Sequence, residues 1–204
     1  MPDNKYNPAY DNKIYQKYSK KTIENKIKNK ESFCKEFGLN FDKKIPVLCI
    51  TYPLTDKNNL SMIQDIMSGI LEQNVEIILT GIGTAKYQKY FTDLSEKHNT
   101  KISILGSSEE EKKKIYSASD AIIIPAINKE CMEEAKMAMK YGVVPIIPQQ
   151  DFVEDYNPSL EKGNAFIHIK DSPWSLFANI IRVTESFRFP YDWKNIQISA
   201  MGME

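Results

Sequence analysis

From residue 46 onwards, short runs rich in Val and Ile alternate with longer amphipathic stretches. The runs span residues 46–51, 75–80, 101–105, 121–125, 143–147 and 165–169. Near-continuous β-branched residues are typical of strands that are buried on both faces. Strands that alternate with helices favour a parallel sheet with right-handed crossovers. The sequence therefore predicts an α/β fold, namely a single Rossmann-like, doubly wound and mostly parallel sheet.

The stretches between the runs have the apolar spacing of helices. Leu60, Ile63 and Met67 recur at this spacing after the first run. Further helices are predicted over 130–141 and 174–187, and the second of these is preceded by Ser and Pro, which favour helix starts. The order of elements thus agrees with the predicted sheet.

A lysine-rich amphipathic segment over 19–37 precedes the first predicted strand and ends at Gly38. Its lysines alternate with Asn and Glu, which is typical of a solvated surface, and we expect the segment to pack outside the sheet. We divide the chain into an N-terminal linker with this helix, 1–45, and a Rossmann-like domain, 46–204.

The composition excludes several classes of protein. The chain has 204 residues, of which 42% are hydrophobic and 26% charged, and it contains no apolar run long enough to span a membrane. Its 27 basic residues balance 27 acidic ones, which argues against nucleic-acid or membrane binding. The three cysteines and the absence of a secretory pattern at the start favour a cytoplasmic location. His98 and His168 lack neighbouring ligands at metal-binding spacing, so we expect no metal site and no cofactor.

Ligands of open α/β sheets bind beyond the carboxyl ends of the strands, so the loops after the runs are the places to search. In LTGIGTAKY, Gly81 and Gly83 lie between a strand and a helix. Small residues there either let a ligand approach the backbone N–H groups or only permit a tight turn. The pattern alone leaves both interpretations open.

One segment carries a family resemblance. AIIIPAINKECMEEAKMAMKYGVVPII is similar to P-S-x-x-E-P-C-G-L-x-Q-L-x-x-(L/M)-x-Y-G-x-x-P of bacterial glycogen synthases and plant starch synthases. Counted back without a gap from residues 140–142, Cys131 falls on the motif cysteine, and Pro125, Tyr141 and Pro145 also match.

Other segments resemble the same family in the same order. ITYPLTDKNNL resembles V-S-R-L-T-x-Q-K-G-L, LTGIGTAKYQKYF resembles L-G-x-G-D-P-x-Y-E-x-x-F, and KIYSASDAIIIPA resembles R-I-Y-A-G-S-D-x-F-L-M-P-S. The resemblance extends over nearly the whole chain. It implies the C-terminal, nucleotide-sugar-binding half of a GT-B glycosyltransferase. In this family that half binds ADP-glucose or UDP-glucose, faces an N-terminal half across a cleft, and serves glucosyl transfer to an α-1,4-glucan.

The residues that handle the donor in the family are largely replaced here. The arginine column holds Pro53, the lysine column holds Asn58, and the acidic column of E-P-C-G holds Lys129. Lys57 and Glu130 are adjacent and are the available substitutes. The T-G-G-L stretch is also missing after the fifth run, where Pro-Gln-Gln-Asp stands. We therefore predict that the isolated chain is inactive.

The resemblance also predicts contacts with the nucleotide sugar. These residues are Thr55, Gly81, Gly83, Tyr116, Glu130, Cys131 and Met132. Tyr116 has packing as an alternative role, and Cys131 is more simply a small buried residue than a nucleophile. The alternative function is a non-catalytic binding or regulatory module that keeps the glycosyltransferase fold. An active synthase in which Lys57 and Glu130 take over the missing roles is a third interpretation.

Overall fold

The computed structural model describes residues 4–202, and within them six strands form one sheet. The strands are β1 Val47–Ile50, β2 Glu76–Thr80, β3 Ile102–Leu105, β4 Ala121–Ile123, β5 Val144–Pro148 and β6 Phe166–His168. The helices are α1 Lys26–Phe37, α2 Leu60–Glu72, α3 Ala85–Lys97, α4 Glu109–Ala118, α5 Lys129–Lys140, α6 Pro173–Phe187 and α7 Pro190–Ala200. Each predicted strand is present, with ends that differ from the prediction by one or two residues.

The sheet has the order β3-β2-β1-β4-β5-β6 and all its pairings are parallel. This is the strand order of a Rossmann fold, which confirms the predicted architecture. Every residue of β1, β2, β4 and β5 is buried, as expected of strands covered on both faces.

The strand order reverses direction at β1. Helices α2 and α3 connect the strands of one half, and α5 connects β4 to β5 in the other. Because parallel crossovers are right-handed, these two groups of helices cover opposite faces of the sheet. The connection from β5 to β6 is instead a loop over 149–165. No helix within residues 4–202 is long and apolar enough to cross a membrane.

The lysine-rich segment folds as two helices rather than one. A 3₁₀ helix, Lys20–Asn25, contains a kink at Thr22 (φ −128°, ψ 33°) and leads into α1. Helix α1 ends at Gly38 in the left-handed conformation (φ 73°), where the glycine stop was predicted. Ile23 and Phe33 join the same hydrophobic core as the sheet, whereas Ile27 is exposed.

The expectation that the lysines of this segment form only a solvated surface is wrong for two of them. Lys26 and Lys30 are buried, with 4% and 2% of their surfaces exposed. Lys30 forms an ion pair with Asp120 at 2.8 Å, and the same carboxylate oxygen accepts the backbone N–H of Val47 at 2.9 Å. A buried ammonium group needs such a partner, and here the partner comes from the residue just before β4.

Candidate functional site

The site predicted from the fold is the crevice at the carboxyl edge between β1 and β4. Strand order reverses here, and in open α/β sheets ligands bind at this edge. The β1 loop covers residues 51–59 and the β4 loop covers residues 124–128, which leads into α5.

The β1 loop is held by the neighbouring β2 loop. The backbone N–H of Leu54 donates to the Ile82 carbonyl at 2.9 Å, and the Leu54 carbonyl accepts from Thr84 N at 3.0 Å. A 3₁₀ turn over Asp56–Asn58 follows. It ends at Asn59, which has the left-handed conformation (φ 57°) that suits Asn or Gly.

The side chain of Asn58 is fully buried and ties the two crevice loops together. Its Nδ2 donates to the Pro53 carbonyl at 2.7 Å, and its Oδ1 accepts from Asn128 Nδ2 at 2.8 Å. A longer contact joins Asn58 Nδ2 to Glu130 Oε2 at 3.4 Å. The amide therefore satisfies its hydrogen-bonding capacity within the protein.

Helix α5 begins at the crevice with Asn128 as its N-cap. The Oδ1 atom of Asn128 accepts the backbone N–H of Cys131 at 3.0 Å, as an N-cap side chain should. Lys129 points into solvent, with 87% of its side chain exposed, and lies 3.9 Å from Glu133 on the next turn. Glu130 instead turns toward the β1 loop, where its Oε1 lies 3.3 Å from Lys57 Nζ.

The two glycines after β2 have a packing explanation. A Cβ atom on Gly83 would lie 2.3 Å from the Leu54 carbonyl oxygen, so only glycine allows this approach of the β1 loop. A Cβ on Gly81 would meet the Ile104 side chain at 3.0 Å, and the Gly81 N–H donates to the Leu105 carbonyl. Close packing therefore explains both glycines without a ligand, against the Leu54 backbone at Gly83 and against the Ile104 side chain at Gly81. Their contact with a nucleotide sugar stays a prediction.

Tyr116 and Cys131 lie beneath the crevice surface. Tyr116 is fully buried, donates its hydroxyl hydrogen to Glu134 and packs against Tyr141 with ring centroids 5.8 Å apart. Burial raises the pKa of the Cys131 thiol to about 12, so it is protonated at neutral pH. The structure gives Tyr116 a packing role and Cys131 an inert one, and their predicted ligand contacts stay predictions. Thr55 and Met132 are half-buried at the crevice.

No known family model matches the chain. A glycogen synthase of Clostridium perfringens is 29% identical over 204 residues, and one of Fervidobacterium nodosum is 31% identical over 204 residues; each alignment covers 98% of this chain and 42% of the relative. The catalytic domain of starch synthase IV from Arabidopsis thaliana, solved with ADP and acarbose, superposes with a TM-score of 0.87 at 21% identity, over 98% of this chain and 43% of that one.

The chain is a homologue of the glycogen synthases. It spans about two fifths of their length, over the C-terminal half. The structural match independently supports the GT-B Rossmann-like fold.

The glycogen-synthase register also explains the backbone of the β1 loop. Asn59 stands in the glycine column of Q-K-G-L and adopts the left-handed conformation that a glycine there would allow. Asn58, in the lysine column, is turned into the loop junction, and Lys129, in the acidic column, is turned to solvent. In the register predicted from the sequence, neither of these two positions therefore supplies the charge that the motif has there.

Sequence reasoning missed two residues that shape the site. Asn128 joins the loops and caps α5, and its position directly before the helix was the available signal. Asp56 accepts a hydrogen bond from the Tyr87 hydroxyl and lies 3.4 Å from Lys86, which anchors the 3₁₀ turn to α3. No sequence pattern pointed to these contacts, because Lys86 and Tyr87 lie 30 and 31 positions from Asp56.

Proposed function

We propose that this chain is the donor-side domain of a glycogen- or starch-synthase-type glycosyltransferase, and that it does not transfer glucose by itself. The observation that carries the proposal is the crevice between β1 and β4. Asn59 has the left-handed conformation that suits a glycine and α5 begins at the crevice, but the charged columns of the predicted register hold Pro53, Asn58 and Lys129. The ligand class is a nucleotide sugar, ADP-glucose or UDP-glucose.

The missing charges determine what the crevice can do. When a glycosidic bond to a diphosphate breaks, negative charge builds on the diphosphate and must be stabilised by nearby cations. Neither Pro53 nor Asn58 supplies one. Lys57 is the adjacent cation, and its ammonium lies 3.3 Å from Glu130, so any role on a phosphate requires it to leave that carboxylate.

The acceptor side of the reaction belongs to other residues. In a GT-B enzyme the acceptor glucan lies between two halves, and this chain spans about two fifths of its curated relatives. We therefore propose that an N-terminal GT-B half, in the same polypeptide or a separate one, is the partner required for transfer to an α-glucan.

A second candidate function is a non-catalytic module that binds a nucleotide, a glucan or a protein. The buried Asn58 amide favours this candidate, because its hydrogen bonds are satisfied by Pro53 and Asn128 and leave no charge for a diphosphate. Such a junction stabilises the shape of the loops rather than a reacting group.

Calorimetric titration of ADP-glucose and UDP-glucose tests the proposal. Loss of two charge-assisted contacts, each worth about 1.5–3 kcal/mol, lowers affinity by roughly a hundredfold or more. We expect weak or undetectable binding to the parent chain, and tighter binding after P53R, N58K and K129E are combined. K89E, on the exposed surface of α3, makes the same change of charge as K129E and is the control for that substitution.

Two results would contradict parts of this proposal. Micromolar affinity of the parent chain would show that Lys57 and Glu130 have replaced the missing charges. A folded triple variant that binds no better than the parent would leave the glycosyltransferase resemblance as ancestry. Retention of the parent chain on immobilised glycogen, without nucleotide-sugar binding, would favour the non-catalytic module.

A further inference from the structure

The crevice is bridged by polar contacts between the β1 loop and the start of α5. Lys57 Nζ lies 3.3 Å from Glu130 Oε1, and Asn58 Nδ2 donates to Glu130 Oε2 at 3.4 Å. The Nδ2 atom of Asn128, the N-cap of α5, also donates to the Lys57 carbonyl at 3.3 Å. Each carboxylate oxygen of Glu130 therefore faces a donor of the β1 loop.

Glu130 lies where the helix stabilises a negative charge. It is in the first turn of α5, where backbone N–H groups lack helical acceptors and the helix dipole favours an anion. Glu133, on the next turn, lies 3.9 Å from Lys129 instead. Glu130 is thus an anion that the protein itself supplies at the crevice.

Lys57 is the one cation that the two crevice loops provide. The β1 loop, residues 51–59, reads TYPLTDKNN, and the β4 loop, residues 124–128, reads IPAIN. An anionic ligand that enters between these loops therefore has Lys57 as its loop cation. With Glu130 at 3.3 Å from that ammonium, the same ligand also meets a like charge beside the cation.

We propose that Glu130 is an internal inhibitor of the crevice. Its carboxylate contacts the donors of Lys57 and Asn58 that a phosphate group would otherwise use, and a phosphate binds there only after this contact opens. The inference rests on the proposed function for the class of ligand, a diphosphate, and adds to it an inhibitory contact within the chain.

The exposure of the two side chains limits how strongly Glu130 inhibits. The side chains of Lys57 and Glu130 are 68% and 46% exposed, so their ion pair is weak and a ligand can displace it. Such a pair lowers affinity by at most about fivefold, and repulsion between a carboxylate and a phosphate about 4 Å apart in water adds a factor of similar size. We therefore expect loss of the Glu130 charge to increase affinity for a diphosphate by about tenfold.

The test compares the binding of inorganic pyrophosphate to the full parent chain and to E130Q, by NMR titration at low ionic strength. We expect E130Q to bind pyrophosphate about tenfold more tightly, and this advantage to shrink in high salt because the charges are screened. The control is E133Q, which removes the same charge one turn further along α5. It should change the affinity by less than about twofold, because the Glu133 carboxylate lies beside Lys129.

Two lysine variants locate the effect. K57M, made in the E130Q chain, should remove the gain in affinity, because Lys57 is the cation that the substitution frees. K89M, also made in the E130Q chain, removes an exposed lysine of α3 and should keep the gain. All these side chains are at least partly exposed, and thermal melting verifies that each variant is folded.

The proposal is overturned if E130Q binds pyrophosphate no more tightly than the parent or E133Q, or if the gain persists in the K57M variant. Failure of the proposed function has a different signature. In that case E130Q gains affinity for pyrophosphate, while ADP-glucose and UDP-glucose bind to no variant, including the one that combines P53R, N58K and K129E. Conversely, tighter nucleotide-sugar binding by that triple variant without a gain in E130Q supports the proposed function and rules out inhibition by Glu130.

Discussion

The hydrogen-bonded junction formed by Asn58 predicts a measurable loss of stability when it is removed. In N58A, the Pro53 carbonyl and the Asn128 amide lose bonds of 2.7 and 2.8 Å inside the loop junction. Each bond contributes about 1 kcal/mol net, and groups left unsatisfied in a buried setting add to this cost. We expect the free energy of unfolding to fall by about 3 kcal/mol.

Urea denaturation and thermal melting measure this loss. For a domain of this size, about 3 kcal/mol corresponds to a fall in Tm of roughly 6–12 °C. The neighbouring variant K57A is the control, because its side chain is 68% exposed and its ion pair with Glu130 contributes at most about 1 kcal/mol.

A double-mutant cycle separates the Asn58–Asn128 bond from the other effects. N128A also removes the cap of α5, which costs about 1 kcal/mol by itself. If the 2.8 Å bond stabilises the junction, N58A and N128A together cost about 1 kcal/mol less than the sum of the two single variants. A coupling energy of zero, or a loss below about 0.5 kcal/mol in N58A, would refute the assignment of the junction.

Three further predictions concern the rest of the domain. Burial raises the pKa of Glu76 from 4.5 to about 7, so the stability contributed by its protonated form is complete below pH 4.5 and is lost as the pH rises through 7. Urea denaturation should therefore show a free energy of unfolding about 3 kcal/mol lower at pH 8 than at pH 4.5. This difference should be absent in E76Q. G83A should destabilise the fold by about 1–3 kcal/mol more than G38A, because a Cβ has open space at Gly38 and a backbone clash at Gly83; equal melting temperatures would contradict this. D120N should cost about 3–5 kcal/mol in chemical denaturation, since it leaves Lys30 buried without its counter-ion, and a cost below about 1 kcal/mol would show that the pair is solvated.

The sheet was predictable because its signal is local. Each strand appears as a short run of Val and Ile, and the cap of α6 was evident from Ser172 followed by Pro173. Helices α4 and α7 were not predicted, although Ser108 and Glu111 form a capping box at the start of α4. The capping box could be recognised in the sequence, but the apolar residues that follow it in α4 are too few to predict a helix.

The candidate site was predictable only in part. The loops and the columns of the motif follow from spacing along the chain, so Pro53 and Lys129 were identified from the sequence alone. The buried state of Asn58 depends on Asn128, 70 positions away, and that of Lys26 depends on carbonyl groups 90 or more positions away. Hydrogen-bond partners so far apart in the sequence are brought together only by the tertiary fold. The sequence alone does not show whether a polar residue has such a partner.

The position of β1 at the centre of the sheet has a consequence for the order of folding. Most strand pairs join segments about 20–30 residues apart, but β1 must also pair with β4, and Val47 and Asp120 at this seam are 73 positions apart. Pairing β1 with β4 closes a longer loop than the other pairings do, so more chain entropy is lost before native contacts offset the cost. The β1–β2–β3 half can therefore assemble first with one edge of β1 open, and the ion pair of Asp120 with Lys30 completes the seam when the second half docks. On this folding order, we expect the open edge of β1 to be the place where pairing with another chain competes with folding.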